Sequence, residues 1–210
     1  MSSPEPTREA IIDICQCLYQ RGFIAGTEGN VSVRVDADRI WITPSGHHKG
    51  MMHADDLLLI DLEGRVHAGE GRPSSETPMH LVCYQRRDDI QSVVHAHPPI
   101  ATAMTVTGNP LATNLLPEAV IVLGDVPTVP YHLPSTWDFA KMVGEALQYT
   151  NAALLENHGA VAVGASLQTA FNVMETIERA AQIFFLAKTL GHVRPLSSEA
   201  ITALQALHAT

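Results

Sequence analysis

Residues 91–108, QSVVHAHPPIATAMTVTG, constrain the fold more than any other stretch of the chain. An apolar run of strand length ends in His95 and His97. Pro98 and Pro99 then bar its continuation as a central strand, because proline has no amide to give to a ladder. Proline is tolerated in the first turn of a helix, so PPIATAMTVTG is predicted to begin one. A buried strand that passes straight into a helix belongs to a layered α/β architecture.

The remaining pattern agrees with that class. TREAIIDICQCLYQRG carries apolar residues at helical spacing up to Gly22. NVSVRVDADRIWITPSG reads as two strands around Asp36–Asp38, and DDLLLIDLEGRVHAG as two more around LEG. TPMHLVCYQRR is predicted to be a helix with Thr77 as its N-cap and Pro78 first in the helix. EAVIVLGDVPTVPY is expected to supply two further strands, and STWDFAKMVGEALQ a helix capped by Ser135 or Thr136. AALLENHGAVAVG reads as strand, turn and strand, followed by a long amphipathic helix that Gly191 closes. The expectation is one α/β domain over residues 1–210, with a mixed sheet between helices.

A net charge of −9 argues against wrapping DNA or RNA, although backbone amides can still hold a small phosphate. The three cysteines, Cys15, Cys17 and Cys83, lie within helical patterns and form no disulfide framework, as suits a reducing compartment. The polar start MSSPEPTREA has no signal-peptide core, and no run is long enough for a membrane span. A cytoplasmic protein is expected.

Two histidines at alternate strand positions share a face, about 6.5 Å apart at Cα, and their imidazoles can converge on one ion. Two histidines at a strand end can equally bond only carbonyls and water. His158 sits in the turn of LLENHGAVAVG, where turn chemistry alone, with Asn157 and Gly159 in the left-handed region, would account for it. Beside His95 and His97 it would complete three imidazoles with one position open. In GRPSSETPMH, Ser74, Ser75 and Glu76 immediately precede a helix, a place that either caps the helix or holds an anion. GTEGN (26–30) and TPSG (43–46) are glycine-containing turns able to aim amides at phosphate oxygens, or ordinary turns. The other histidines (His47, His48, His53, His67, His80, His132, His192 and His208) are expected at the surface or at caps, and Lys49 in solvent.

Taken in chain order, GTEGNVSVR, ITPSG, PSSE, HAHPP and ENHG resemble the class II aldolase/adducin family, and within it the fuculose-phosphate aldolase branch. The resemblance spans nearly the whole chain. It implies a three-layer α/β/α domain with a largely antiparallel sheet, assembled as a C4 homotetramer with sites at subunit interfaces. It implies that His95, His97 and His158 hold one divalent ion per subunit, zinc first and manganese or cobalt otherwise. Glu76 would be the resting fourth ligand and the proton-transfer residue, and Gly29, Asn30, Ser45, Gly46, Ser74 and Ser75 would seat a substrate phosphate. The implied reaction is retro-aldol cleavage of a small sugar phosphate, through an enediolate whose charge the ion offsets.

The chain departs from that branch in one respect. The tyrosine that serves the aldehyde oxygen across the interface has no counterpart in NPLATNLLPEAV (109–120). Decarboxylation of a 3-oxo sugar-acid phosphate needs no such acid and is the alternative. Dehydration of a ketose phosphate and a non-catalytic, adducin-head-like scaffold rank below it. The family's 4-epimerases use a tyrosine near the C-terminus, which GHVRPLSSEAITALQALHAT lacks.

Overall fold

The computed structural model describes residues 4–208. The elements are α1 (Pro4–Gln20), β1 (Asn30–Arg34), β2 (Arg39–Ile42), β3 (Leu58–Asp61), β4 (Val66–Ala68), α2 (Thr77–Arg86), β5 (Ser92–Ala96), α3 (Pro99–Val106), α4 (Pro117–Val122), β6 (Thr128–Val129), α5 (Trp137–Ala146), β7 (Ala152–Leu155), β8 (Gly159–Gly164), α6 (Leu167–Leu190) and α7 (Ser198–His208). The strands form one sheet in the order β4-β3-β2-β1-β5-β8-β7-β6. Every pairing is antiparallel except β6 with β7. The mixed, largely antiparallel sheet between helices is therefore as the sequence predicts. Among the described residues, no helix is long and apolar enough to cross a membrane.

The period of two along each strand sorts side chains into two cores. Val31, Val94, Ala96, Leu154 and Ala162 pack with α1, α3 and α6 on one face. Ile40, Ile42, Leu58, Ile60, Val93, Leu155 and Val161 pack with α2 and α5 on the other. Asn30, Ser32 and His95 alternate with residues of the first core, and so turn toward α2. β5 lies at the centre of the sheet, and all five of its residues are buried.

Three local expectations are corrected. EAVIV is not a strand: Pro117 opens α4, Glu118 sits in its first turn, and only Thr128–Val129 pairs at the sheet edge. A proline with no ladder amide and an acidic residue in the first turn outweigh the strand preference of the valines and isoleucine. Thr77 lies inside α2 rather than capping it, because its hydroxyl donates to the Ser74 carbonyl at 2.6 Å. His97 lies one residue beyond β5, its amide bonded to the Phe23 carbonyl at 2.9 Å. The C-terminal helix α7, for which no element is expected from the sequence, packs on α4.

The start of α3 is held from a distance. Pro98, at the N-cap, has no side chain able to accept a hydrogen bond. Instead Glu178, buried on α6, accepts the amides of Ile100 at 3.1 Å and Ala101 at 2.9 Å. A carboxylate 78 positions along the chain thus does the work of a local capping side chain.

Candidate metal centre

Three backbone segments meet at the site. β5 carries His95 and the residue after its end carries His97. The β7–β8 turn carries His158, and the N-cap of α2 is Glu76. Two close approaches let the segments meet. Asn157 takes a left-handed φ of 54° in the turn, as expected, but Gly159 has a different role. A Cβ there would stand 2.5 Å from the Ala96 carbonyl oxygen and 2.6 Å from His97 Cδ2. On the other side, a Cβ at Gly29 would stand 2.9 Å from the His95 carbonyl oxygen, at a φ of 67°. Gly159→Ala is therefore expected to push the turn off β5. It should destabilise the fold by about 1–3 kcal/mol and weaken divalent-ion binding, as denaturant unfolding and metal titration would read.

The histidine atoms able to bind a cation lie within 4.8 Å of one another. His95 donates its Nδ1–H to the Ala160 carbonyl at 2.9 Å, which turns Nε2 inward. His97 Nε2 lies 3.2 Å from His95 Nε2, with its Nδ1 toward Glu28 at 3.6 Å. Glu76 spans the group: Oε2 is 3.1 Å from His95 Nε2, and Oε1 is 3.3 Å from His158 Nε2. Oε1 is buried and accepts no hydrogen bond.

The charges suit a cation. Burial and the neighbouring imidazoles hold His97 down at about 3 and His158 at about 4, so both keep a free lone pair at neutral pH. Burial by itself would raise the Glu76 carboxyl, but His95, His158 and the Asn30 amide together hold it below the ordinary carboxylate range. Burial works against a charged His95, but Glu76 overrides it and raises the imidazole. A proton and a divalent cation are alternative ways of satisfying the same lone pairs. The donor set, three imidazole nitrogens and one carboxylate oxygen, fits zinc or a similar ion.

The loops expected to seat a phosphate are stitched together beside Glu76. The Ser45 amide donates to the Arg72 carbonyl at 2.9 Å, and the Ser74 amide to the Thr43 carbonyl at 3.2 Å. The buried Ser74 hydroxyl accepts the Glu76 amide at 3.2 Å, whereas Ser45, Gly46 and Ser75 are exposed. Gly46 has a φ of 74° with open space where a Cβ would sit. Asn30 is buried, and its side chain faces inward: Nδ2 donates to Glu76 Oε2 at 2.8 Å. Only its second Nδ2 hydrogen remains for another partner.

Lys49 is not solvated. It is 2% exposed and donates to the carbonyls of Thr27 at 3.2 Å, Pro44 at 3.3 Å and His47 at 2.9 Å. It ties GTEGN to TPSG. His80 is also buried rather than at the surface. It contacts Asn30 and Ser32 behind Glu76, and burial lowers it to about 3. The usable signal was its spacing, four residues after Glu76, which puts both on one face of α2. An unfolded histidine protonates near pH 6.5, so folding is disfavoured as pH falls from about 6.5 toward 3. His80→Gln should remove up to about 1.4 kcal/mol per pH unit of that acid sensitivity, read as the difference between wild-type and variant urea unfolding at pH 7 and pH 4.5.

The family of the Class II Aldolase and Adducin N-terminal domain matches residues 9–185. The chain belongs to the class II aldolase/adducin family. An L-fuculose phosphate aldolase of Methanococcus maripaludis is 34% identical over 179 residues, covering 85% of this chain and 96% of that one. A 3-oxo-tetronate 4-phosphate decarboxylase of Haemophilus influenzae is 31% identical over 182 residues, with 85% and 86% coverage. A solved L-fuculose 1-phosphate aldolase superposes with a TM-score of 0.89 at 33% identity, over 100% of this chain and 99% of that one. Within this family member, the five motifs singled out from the sequence all converge on one end of the sheet. Tyr131 and His132 follow β6, where the Tyr131 amide donates to Glu156 at 2.7 Å, two residues before His158.

Proposed function

We propose that the chain is a divalent-metal-dependent lyase that breaks a carbon–carbon bond in a small sugar phosphate by retro-aldol cleavage. The observation that carries this reading is the convergence of His95, His97 and His158 on one point with the Glu76 carboxylate against it. A cation held there, zinc first and manganese or cobalt otherwise, would supply Lewis-acid stabilisation of the negative charge that develops beside the breaking bond.

The rest falls to the chain. Glu76 is buried and ionised, with one oxygen held by Asn30 and the other without a hydrogen bond, so it can take and return a proton at Oε1. The exposed turns around Ser45, Gly46 and Ser75, with Gly29 and Ser74 behind them, offer amides and hydroxyls to a phosphate. Binding that remote group fixes the reacting carbon. The ends of the sheet strands hold the imidazoles in place before substrate arrives.

A second reading, decarboxylation of a 3-oxo sugar-acid phosphate, is favoured by the absence of tyrosine from residues 109–120. It is also favoured by the similarity to the Haemophilus decarboxylase. The same proton-transfer carboxylate serves both. Incubating zinc-loaded protein with ketose 1-phosphates and with 3-oxo sugar-acid phosphates separates them, since one releases dihydroxyacetone phosphate and the other CO₂. Release of neither overturns both. Chelation is expected to abolish turnover, and added divalent ion to restore it, while a chelator-resistant activity would remove the ion from the reaction.

The reading includes a cytoplasmic homotetramer with sites between subunits. Exposed apolar side chains on α3 and α6, among them Val106, Phe185 and Leu186, support self-association. Sedimentation at micromolar concentration should show a mass four times that of the chain.

A further inference from the structure

Behind Glu76 runs a chain of buried polar side chains of which the reaction outlined above uses only Asn30. Tyr84 OH lies 2.8 Å from Ser32 Oγ, and Ser32 Oγ lies 2.6 Å from His80 Nδ1. His80 Nε2 lies 2.5 Å from Asn30 Oδ1, and Asn30 Nδ2 donates to Glu76 Oε2 at 2.8 Å. Tyr84, Ser32, His80 and Asn30 are each at most 3% exposed. We propose that His80 is a positioning residue for proton transfer at Glu76, acting through the Asn30 amide. The proposal rests on the reading of Glu76 as the group that moves the proton.

The direction of every hydrogen bond in the chain follows from its two ends. An ionised carboxylate only accepts, so Asn30 must present its NH₂ to Glu76 and its carbonyl oxygen to His80. His80 must then carry its proton on Nε2. Burial keeps the ring neutral, which leaves Nδ1 as an acceptor for the Ser32 hydroxyl. Ser32 has spent its one hydrogen on His80, so it accepts from Tyr84, whose phenol burial raises well above its ordinary value. The result is a one-way line of donors running from Tyr84 to Glu76.

This arrangement has a consequence for Glu76. A lone Asn amide could flip and present its oxygen to the carboxylate, repelling it. His80 Nε2–H blocks that flip because the flipped amide would bring two donors face to face. The carboxylate is thus held at Oε2 with Oε1 left for chemistry. Buried networks of this kind fix orientation when every member is satisfied, and each of these four side chains has its partner.

The test compares two substitutions. His80→Met removes every polar atom at about the same volume, while His80→Gln can still present an NH₂ to Asn30. With zinc-loaded protein and a turned-over substrate, His80→Met is expected to lower kcat by about 10- to 100-fold with KM little changed, and His80→Gln to recover most of the loss. A second readout does not depend on activity. Long-range proton–nitrogen NMR of histidine-labelled wild-type protein, metal-free and zinc-loaded, should show His80 neutral and protonated at Nε2 across pH 5 to 9.

Equal kcat in His80→Met and wild type, equal losses in Met and Gln variants, or a ring protonated at Nδ1 would each overturn the proposal. If His80→Met does not fold, the NMR result and the Gln variant still decide it. A wild-type protein that turns over neither substrate class overturns the proposed reaction, and the positioning role with it. Turnover by wild type combined with an insensitive His80 overturns the positioning role alone.

Discussion

Glu76→Gln is expected to lower turnover by about 10²–10⁴-fold, the range that a positioned acid–base group contributes, while the protein still binds its divalent ion. The three imidazoles remain, and Gln fills the same volume with an oxygen that can still face the group. What is lost is a site able to take up and release a proton. The variant should also keep its substrate KM, because the hydrogen bonds that join the turns around Ser45 and Ser74 run through backbone groups and not through its carboxyl. Metal content by elemental analysis, measured beside kcat on the same preparation, separates the outcomes. Near-normal turnover would remove Glu76 from proton transfer, and loss of the ion together with turnover would make it chiefly a ligand.

Lys49→Met should produce the largest loss of stability among the substitutions considered. The ammonium satisfies three backbone carbonyls, one from each of the two glycine-containing turns and that of His47 just after the second, and burial lowers its pKa below the ordinary lysine value. Methionine would fit the space but leave those carbonyls without their donor in a partly buried region. The expected cost is about 2–3 kcal/mol, or a fall in Tm of about 4–12 °C for a chain of this size. Because the same turns carry the proposed phosphate seat, KM for a phosphorylated substrate should rise more than kcat falls. An unchanged melting curve would show that water reaches the three carbonyls and that the ammonium is dispensable.

How much the sequence disclosed depended on how local each cause was. The strand ending in HAH, its proline stop and the hairpin LLENHGAVAVG declare themselves in a few adjacent residues, whereas bringing His158 to His95 and His97 rested on the family resemblance of the motifs taken together. Burial of Lys49 could not be read in the same way, since its three acceptors are the carbonyls of Thr27, Pro44 and His47, and carbonyls carry no sequence signature. His80 was hidden for a related reason. Its partners Asn30 and Ser32 lie 50 and 48 residues away, on a strand whose inward-facing positions are polar where apolar ones would be expected. Only the four-residue interval from Glu76 marked it. EAVIV has the composition of a strand, and only the proline before it signals the helix it forms.

The amides of Ile100 and Ala101, two and three positions beyond Pro98, are gripped by the Glu178 carboxylate from the middle of α6. The corner beside the candidate metal site is thus anchored to a rod of 24 residues that crosses the opposite face of the sheet. Sliding that rod by a fraction of a turn would tug on the HAHPP corner without touching a ligand. A neighbouring molecule leaning on the exposed end of α6 would therefore have a mechanical lever on the shape of the site, gained from a single carboxylate.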